Sequence, residues 1–451
     1  MVKFAAMPGV RQHLRLQASD VCLAHSLSTS RALPLMNQTI AILGAGMVGV
    51  SCALELQRRG FDVTLFDRST PGRETSYGNA GVIARSSLVP FNNPTLWKSL
   101  PTLLKNNSAS FRYDPIFMAK NLPWALRFLS NARQRTFEET TVALDTLIRL
   151  SAGEHQRLMA EAGTAHRCRD TGWIFLYRSE QAFAGGQLSR NTFEKFGIAT
   201  QILDAGAIAE LEPGLNPIFP RGLWIQDASS VDSPGKVVEA YAKLFVTRGG
   251  TIRQTQVTGI TKSAGDSWRV TEAGGTAHEV SRAVLALGPW TREFAAQTLD
   301  LSVPMAFERG YHMHYGAADG TVLTRPVYDT GGAYVLSPME QGLRLSTGVQ
   351  MTARDAPPNL VQLDLAERAA RQAFPLADRS EAQPWLGSRP TLPDSRPIIG
   401  ECPGRPGLWL AFGHQHIGFS TGPGTAALLG AMMVGEKPPI DPTPFRAGRF
   451  L

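Results

Sequence analysis

The sequence predicts a mixed α/β (α+β) fold in which a dinucleotide-binding domain is interleaved with a β-rich domain. The first observation is an apolar strand that begins at Thr39 and runs into the glycine pattern Gly44-Ala-Gly46-Met-Val-Gly49. The second is that a helical stretch and then a second strand ending in Asp67 come directly after these glycines, as in a βαβ nucleotide-binding unit. The third is that strands and helices of this kind return at about residue 231, after a long stretch that does not alternate simply.

Each glycine of the pattern has a physical role. Gly44 allows a tight turn, Gly46 lets the backbone approach a pyrophosphate, and Gly49 lets the helix pack close to the strand. The pyrophosphate is expected at the helix N-terminus, where unpaired N–H groups and the helix dipole favour negative charge. Asp67 is placed to accept hydrogen bonds from ribose hydroxyls.

The composition limits the classes of protein to which this chain can belong. The 451 residues are enough for two or three domains, and 45 basic against 38 acidic side chains give a net charge of +7 that we take as spread along the chain. No block of like charge resembles a nucleic-acid-binding arm, and no apolar run reaches the ~18 residues of a membrane-spanning helix. The four cysteines are scattered, which predicts reduced thiols rather than a zinc site or disulfides.

The first 35 residues differ from the rest of the chain. They contain Lys3, Arg11, Arg15 and Arg31 against one acid, Asp20, and they lack the apolar stretch of a secretory signal. We expect the folded protein to begin near Met36 and residues 1–35 to be a disordered extension, with a targeting peptide as the alternative.

The remaining elements are predicted from hydrophobic periodicity and from turn residues. A polar loop covers Ser86 to Pro94, and after Pro304 the pattern becomes β-rich. The predicted helices are 48–59, 136–162, 234–248, 360–374 and 424–434, and the predicted strands are 62–67, 172–177, 251–260, 283–288, 332–336, 343–347 and 407–412.

Four blocks in order carry a resemblance to a known family: the glycine pattern, Glu74-Thr-Ser-x-x-Asn79-Ala-Gly81, Leu287-Gly-Pro-Trp290, and the arginine-proline block from Arg389 to Gly400. Together they resemble the D-amino-acid oxidase superfamily of FAD enzymes, and most of all the bacterial D-amino-acid dehydrogenases. The resemblance implies a Rossmann-type FAD-binding domain and a β-rich substrate domain. It assigns 36–85, 231–300 and 388–435 to the FAD-binding domain, 86–230 and 301–387 to the substrate domain, and 436–451 to a C-terminal tail.

The resemblance also implies which residues hold the cofactor, which we expect to be non-covalent FAD because Cys402 matches no attachment position. The 75–81 loop should lie against the flavin ring, Val257 should contact the adenine, and the turn before the last helix should direct N–H groups at the flavin pyrimidine edge. The full set is Gly44, Gly46, Met47, Val48, Gly49, Asp67, Arg68, Thr75, Ser76, Asn79, Ala80, Gly81, Val257, Gly288, Trp290, Arg389, Gly413, His416, Ile417, Gly418 and Thr421.

The implied reaction is oxidation of a small D-amino acid by hydride transfer from Cα to flavin N5, with the imino acid as product. The site must then hold the carboxylate, for which the arginine fork is suited. Arg389 is the best placed, while an ordinary surface or ion-paired role stays open for Arg389, Arg309 and Arg344 alike. The chain has Ser337-Pro338 where some superfamily members have a carboxylate-binding arginine, so the resemblance leaves open which arginine is the clamp. The candidate site residues are Arg389, Arg309, Tyr311, His312, Tyr334, Arg344 and His416, with Tyr328 as a further tyrosine.

Substrate, acceptor and metal are inferred from weaker features. The Arg-Gly-Tyr-His stretch at 309 and the Gly-His-x-His-x-Gly stretch at 413 are similar to dehydrogenases of hydroxy-D-proline, which favours a cyclic or small D-amino acid. We expect electrons to pass to a quinone or another respiratory acceptor, and a cytoplasmic protein that could contact the inner face of the cell membrane peripherally. The alternatives are an oxygen-using oxidase of glycine, sarcosine or another secondary amine, and a non-catalytic flavoprotein subunit. No carboxylate or cysteine accompanies the histidine pairs 312/314 and 414/416, so no metal is expected.

Overall fold

The computed structural model describes residues 38–451, and the expectation for residues 1–35 lies outside them. The mixed α/β class is confirmed. The helices are α1 Met47–Arg58, α2 Leu96–Leu103, α3 Pro115–Lys120, α4 Leu122–Ser130, α5 Gln134–Glu161, α6 Glu180–Gly185, α7 Gln187–Lys195, α8 Ala205–Leu211, α9 Pro234–Thr247, α10 Thr291–Leu299, α11 Val361–Ala373 and α12 Gly418–Met433. Within the described residues, no helix combines the length and apolar character needed to cross a membrane.

The strands belong to two large and two small sheets. They are β1 Thr39–Leu43, β2 Asp62–Asp67, β3 Val82–Ile83, β4 Phe111–Tyr113, β5 Cys168–Arg169, β6 Trp173–Tyr177, β7 Thr200–Asp204, β8 Arg221–Ile225, β9 Ser229–Val231, β10 Thr251–Gln254, β11 Val257–Lys262, β12 Trp268–Glu272, β13 Ala277–Val280, β14 Arg282–Leu285, β15 Ala306–Ala317, β16 Val327–Asp329, β17 Tyr334–Met339, β18 Gly342–Thr347, β19 Val349–Met351, β20 Leu376–Arg379, β21 Trp385–Thr391, β22 Ile398–Glu401 and β23 Leu408–Phe412.

The first large sheet is built from three separate parts of the chain. Its order is β10-β2-β1-β14-β23-β22, and only the β22–β23 pair is antiparallel. The central strands β1 and β14 are almost completely buried, as expected for parallel strands that are covered on both faces. Because parallel strands align their carboxyl ends, the turns after β1 and β14 meet at one edge of this sheet.

The second large sheet has eleven strands, and β15 is its longest. On one side β15 pairs with β18, and on the other it pairs with β21 in seven consecutive register pairs, from Ala306–Thr391 to His312–Trp385. Successive side chains of a strand point to opposite faces, so the even-numbered residues of β15 share a face with the odd-numbered residues of β21. That face is directed towards the first sheet and forms one wall of the site described below.

Two predicted elements differ from the structure. The strand expected over 251–260 is divided, because after Gln254 the chain leaves the first sheet and β11 pairs with β12. The last helix begins at Gly418 rather than near Gly424, and it contains Pro423. Proline has no N–H to offer the carbonyl four residues earlier, and that carbonyl, of Phe419, lies instead 2.8 Å from Nε2 of His155 on α5. A neighbouring helix thus supplies the hydrogen bond that Pro423 cannot.

Candidate active site

A cavity of about 750 Å³ extends from the edge of the first sheet to the face of β15 and β21. The glycine turn, the 74–80 segment, Val257 and the turn before α12 line one part of it, and side chains of the second sheet line the other. Its volume lies in the range of small-molecule and cofactor sites.

The turn between β1 and α1 is built for an anion. A Cβ on Gly49 would lie 1.8 Å from the carbonyl oxygen of Gly44, so only glycine allows this approach of helix and strand. Gly46 is the N-cap of α1 and offers no side-chain cap, and the first turn of the helix contains no acidic residue. Gly46, Met47 and Val48 line the cavity, so the positive end of the helix faces it.

Asp67 is held at the end of β2 by two backbone donors. Its Oδ2 accepts from the N–H of Ala45 at 2.6 Å and its Oδ1 from the N–H of Ser69 at 2.8 Å. Burial raises the pKa of Asp67 above its ordinary value, while the two hydrogen bonds oppose that shift. Nearby, the guanidinium of Arg68 lies 4.3 Å from the ring centre of Trp290, and Gly288 lines the same end of the cavity.

The 74–81 loop connects three parts of the site. The hydroxyl of Thr75 donates to the carbonyl of Ser388 at 3.1 Å, and Ser76 Oγ accepts from the N–H of Met47 at 3.0 Å. Asn79 donates to the carbonyl of His416 at 3.4 Å. The loop therefore bridges the arginine-proline block, the N-terminus of α1 and the turn before α12, and Thr75, Ser76, Asn79 and Ala80 line the cavity.

Arg344 holds this loop from behind rather than lining the cavity. Its Nη1 donates to the carbonyls of Tyr77 at 2.8 Å and Asn79 at 2.7 Å, and its Nε donates to Nε2 of His314 at 3.0 Å. Burial lowers the pKa of Arg344 to about 10. With all of these bonds made inside the protein, the expectation that Arg344 serves as a carboxylate clamp is replaced by a structural role.

His312, His314 and Glu381 form a cluster whose potential metal-ligating atoms lie within 4.8 Å of one another, so the structure adds a carboxylate that the sequence pattern did not reveal. Because Nε2 of His314 accepts from Arg344, its Nδ1 carries the proton, and this atom lies 3.1 Å from Glu381. A cation at Nδ1 would displace that proton and would be repelled by the charge of Arg344. Burial, and then this charge, already lower the pKa of His314. We interpret His314 and Glu381 as supports of Arg344. The ring of His312 stacks on Trp385, and burial lowers its pKa to about 2.

Arg389 and Glu308 face the cavity from neighbouring strands. They are register partners of β21 and β15, so their side chains share one face of the sheet. Both line the cavity, yet no N–O pair within 4.0 Å joins them in the described part of the chain. The hydroxyl of Thr391 lies beside the carboxylate of Glu308 and favours its ionised form, as the charge of Arg389 does. Burial raises the pKa of Glu308, which is 4 % exposed, and burial lowers the pKa of Arg389.

His416 and Tyr328 complete the wall around this pair. His416 projects into the open cavity, and its pKa is lowered to about 4, first by the surrounding protein and then by the charge of Arg389. Burial raises the pKa of Tyr328 to about 12, so its hydroxyl stays protonated and can donate to a ligand. Trp385 lies across the same region, where a Cβ on Gly78 would overlap its ring at 1.8 Å.

Three predicted site residues direct their polar groups elsewhere. Arg309 donates to the carbonyls of Ala356 and Pro357 and, at 3.0 Å, to the hydroxyl of Tyr311. It does not line the cavity, because an odd-numbered residue of β15 points to the opposite face. Tyr311 borders the cavity, but its hydroxyl is bonded within the protein. Tyr334 also borders the cavity, but its hydroxyl lies beside Asp329, and burial and the charge of Asp329 raise its pKa.

Four residues expected to bind the cofactor lie behind the cavity wall. Gly49, Gly81, Gly413 and Thr421 are not among its lining residues. Gly49 allows helix packing, a Cβ on Gly81 would lie 2.4 Å from the carbonyl of Val231, and one on Gly413 would overlap Leu392. The hydroxyl of Thr421 donates to the carbonyl of Ile417 within α12. These residues shape the site without bordering it.

Sequence reasoning missed Glu308 and Trp385. A signal for Glu308 existed, because it is two residues before Gly310 in a strand and therefore shares a face with it and with His312. The sequence did not reveal which face of β15 is shared by Arg389, because that depends on how β15 pairs with β21, a strand far away in the chain.

Comparison with known proteins decides the family. A profile described as FAD dependent oxidoreductase, the DAO family, matches residues 39–432. The chain belongs to the DAO family of FAD-dependent oxidoreductases. Two curated relatives of this flavoenzyme are a "D-amino-acid oxidase" of Bradyrhizobium diazoefficiens, 30% identical with 91% of this chain and 99% of the relative covered, and a "D-amino acid dehydrogenase 2" of Mesorhizobium japonicum, 28% identical with 89% and 98% covered.

The fold of this flavoenzyme is also seen in solved structures. Glycine oxidase from Geobacillus kaustophilus superposes with a TM-score of 0.70 at 21% identity, and the match covers 92% of this chain and all of that one. The cofactor is FAD, and the residues present fit it. The N-terminus of α1, where Gly46 supplies no side-chain cap and the first turn contains no acid, suits a pyrophosphate. The N-terminus of α12 likewise lacks an N-cap side-chain bond and an acid in its first turn, and it suits the negative charge of a reduced flavin.

Proposed function

We propose that this flavoenzyme oxidises a D-amino acid, with a cyclic or small side chain, and passes the electrons to a quinone or another respiratory acceptor. The observation that carries the proposal is the Glu308–Arg389 pair. Two opposite charges stand side by side on one wall of the cavity without neutralising each other in an ion pair. An amino acid is a zwitterion, so its carboxylate and ammonium match these two charges.

Arg389 is the proposed carboxylate clamp. Its planar fork can bind both oxygens of a carboxylate, which fixes the direction of the Cα–H bond as well as the position of the substrate. His416 and Tyr328 stand beside it as neutral groups, the first because its pKa is depressed and the second because its pKa is raised. Neither competes with Arg389 for the negative charge, and each can direct a hydrogen bond at the substrate.

Glu308 is the proposed partner of the substrate nitrogen. Loss of a hydride from Cα requires a lone pair on nitrogen, so the ammonium must first give up a proton. In this step an N–H bond breaks, its electron pair stays on nitrogen, and the proton moves to the carboxylate of Glu308. A carboxyl group with a raised pKa is a better proton acceptor than an exposed one, as general-base catalysis requires.

FAD, when bound, supplies the hydride acceptor. The residues of this chain orient the substrate, and Trp385 and Trp173 limit the access of water to the reacting atoms. The imino product of a primary amine hydrolyses to a keto acid, whereas a ring nitrogen yields a cyclic imine. The names of the curated relatives support a D-amino acid as the substrate class.

An oxygen-using oxidase is the second candidate, because one curated relative is named as an oxidase and another as a dehydrogenase. The two differ only in what reoxidises the flavin. Turnover in air with stoichiometric peroxide would favour the oxidase, and turnover that depends on a quinone or a redox dye would favour the dehydrogenase.

The experiment that tests the proposed substrate class is anaerobic titration of the purified holoenzyme with matched compounds. D-proline or hydroxy-D-proline is expected to bleach the flavin, whereas pyrrolidine, which lacks the carboxylate, should not. The ring carboxylic acid that lacks the nitrogen should bind as a competitive inhibitor without bleaching. Equal bleaching by pyrrolidine would show that the carboxylate is not recognised.

A further inference from the structure

The segment 89–137 carries exposed apolar side chains on the outside of its helices. The inner faces of α2, α3 and α4 are used in the core, through Leu96, Phe117, Trp124 and Phe128. The outer side of a surface helix is normally polar. In this segment the outer side carries five of the ten large hydrophobic side chains that are exposed in the described part of the chain. Their exposed fractions are 48% for Trp97, 61% for Leu104, 69% for Ile116, 53% for Leu122 and 58% for Leu126.

These side chains lie on helices that are linked to one another. Trp97 and Leu104 are two helical turns apart, and Leu122 and Leu126 are one turn apart, so each pair shares a helix side. The indole N–H of Trp97 donates to the carbonyl of Ala132 just beyond α4, at 2.9 Å. The hydroxyl of Tyr113, next to α3, donates to the carbonyl of Leu104 at 3.0 Å. The three helices are thus tied together at their ends.

The same segment concentrates the positive charge of the chain. It contains seven basic residues and one acid, Asp114, so the net charge that we took as spread along the chain is in large part local. Asp114 is engaged as the N-cap of α3, where it accepts from the N–H groups of Ile116 and Phe117. Five exposed basic side chains have no acidic partner within 4.0 Å in the described part of the chain. They are Lys98, Lys105, Lys120, Arg127 and Arg133.

We propose that this surface, the 89–137 face, docks on an anionic lipid membrane. The apolar side chains would enter the boundary between headgroups and acyl chains, and the basic side chains would contact lipid phosphates. A second copy of the chain fits less well, because two such faces carry the same positive charge and repel each other. The inference does not rest on the substrate, so a membrane-binding enzyme with another substrate would still satisfy it.

The test uses the full chain with FAD bound and vesicles of two compositions. Vesicles of equal parts phosphatidylglycerol and phosphatidylcholine should sediment the protein, and vesicles of phosphatidylcholine alone should sediment much less. Raising the salt concentration should weaken the binding, because screening reduces the attraction to the lipid charges.

Variants with matched controls locate the surface. Lys98→Glu/Lys105→Glu/Lys120→Glu should lower the partition coefficient at least about 100-fold, at about fivefold for each lost cation. Leu122→Ser/Leu126→Ser should also release the protein from the anionic vesicles, at low as well as at high salt concentration. The controls, Lys195→Glu/Lys243→Glu/Lys437→Glu and Ile202→Ser/Val246→Ser, change the same residue types at exposed positions outside the face and should bind like wild type.

Flavin content and melting temperature report whether each variant is folded, and every altered side chain is exposed. Lack of sedimentation with anionic vesicles would overturn the proposal, as would equal loss of binding in the controls. A dimer detected by analytical ultracentrifugation would also overturn the proposal if Leu122→Ser/Leu126→Ser dissociated it. The 89–137 face would then be an interface between two copies of the chain.

Discussion

Glu308 and Arg389 lie directly opposite each other on β15 and β21, with both charged groups on the cavity side of the sheet. They are close enough to influence each other, since the guanidinium lowers the pKa of Glu308 and the carboxylate raises that of Arg389, against the stronger effect of burial on each. They nevertheless form no ion pair within 4.0 Å. Two buried charges held apart in this way are costly, and a ligand of complementary charge would satisfy both.

Arg389→Lys should weaken substrate binding while leaving the flavin in place. Lysine keeps the positive charge but loses the fork, so we expect the KM for a D-amino acid to rise about 10- to 100-fold, equivalent to ~1.5–3 kcal/mol. The flavin spectrum should not change. Steady-state kinetics and the absorption spectrum of the purified variant measure both.

The alternative role of Arg389, stabilising the reduced flavin, has a different signature. In that case the reduction potential of Arg389→Lys would fall while KM changed little. Normal kinetics and a normal potential in Arg389→Ala would contradict both roles.

Glu308→Gln should make the protein more stable at neutral and alkaline pH. The folded-state pKa of Glu308 is raised above its ordinary value of 4.5, so the ionised carboxylate costs stability once the pH exceeds the unfolded-state pKa. Glutamine removes the charge at similar volume. Thermal unfolding of the FAD-free protein should show a higher Tm for the variant at high pH, and the difference should shrink as the pH falls towards 4.5. A variant that is less stable at every pH would contradict a carboxylate whose burial outweighs the favourable effects of Arg389 and Thr391.

Arg344→Lys should release FAD more readily than wild type without altering the substrate clamp. The guanidinium joins two carbonyls of the 74–81 loop to His314, and a single ammonium cannot span all three. We expect the Kd for FAD to rise at least about tenfold, and enzyme saturated with FAD to keep its KM. Fluorescence titration of the FAD-free protein gives the Kd. Arg325→Lys is the matched control, because Arg325 pairs with Glu212 outside the cavity.

Substitutions of two tyrosines test which hydroxyl has a structural role and which binds the ligand. The hydroxyl of Tyr311 accepts from Arg309 and from the N–H of Asn359 and donates to Gln350, so Tyr311→Phe should cost ~1–3 kcal/mol of unfolding free energy and spare KM. Tyr328 faces the cavity, so Tyr328→Phe should spare stability and change KM. Chemical denaturation and kinetics of the two variants form the test, and the reverse pattern would place the substrate on the other face of β15.

The nucleotide-binding end of the site could be predicted from the sequence because it is local. A strand, three glycines, a helix and Asp67 succeed one another within about 30 residues, the length of a βαβ unit. Arg389 could be selected as a candidate site residue because it begins the arginine-proline block that resembles the family. By contrast, the exclusion of Arg309 and the inclusion of Glu308 depend on which face of the paired strands β15 and β21 borders the cavity. One step along a strand reverses the answer.

The start of α12 was mispredicted for a related reason. Pro423 reads as a helix boundary in isolation, and the sequence does not reveal that His155, on a helix far away in the chain, supplies the missing hydrogen bond. The role of Arg344 was likewise hidden, because its acceptors are backbone carbonyls of a loop that precedes it by more than 260 residues. Local patterns were therefore sufficient for elements formed by consecutive residues. They were insufficient where segments that are far apart in the chain come into contact.

The most direct test of the proposed function is the rate of anaerobic flavin reduction by a D-amino acid in wild type and Glu308→Gln, measured by stopped-flow absorbance at two pH values. At near-neutral pH the substrate is an ammonium ion, and the variant, which cannot accept its proton, should be about 10- to 100-fold slower. Above the pKa of the substrate amine the nitrogen is already neutral, and the variant should approach the wild-type rate. The L-enantiomer should reduce neither enzyme at a comparable rate. Equal rates for the two enzymes at near-neutral pH, or flavin that no amino acid bleaches, would contradict the proposal that Glu308 and Arg389 together recognise a zwitterionic substrate.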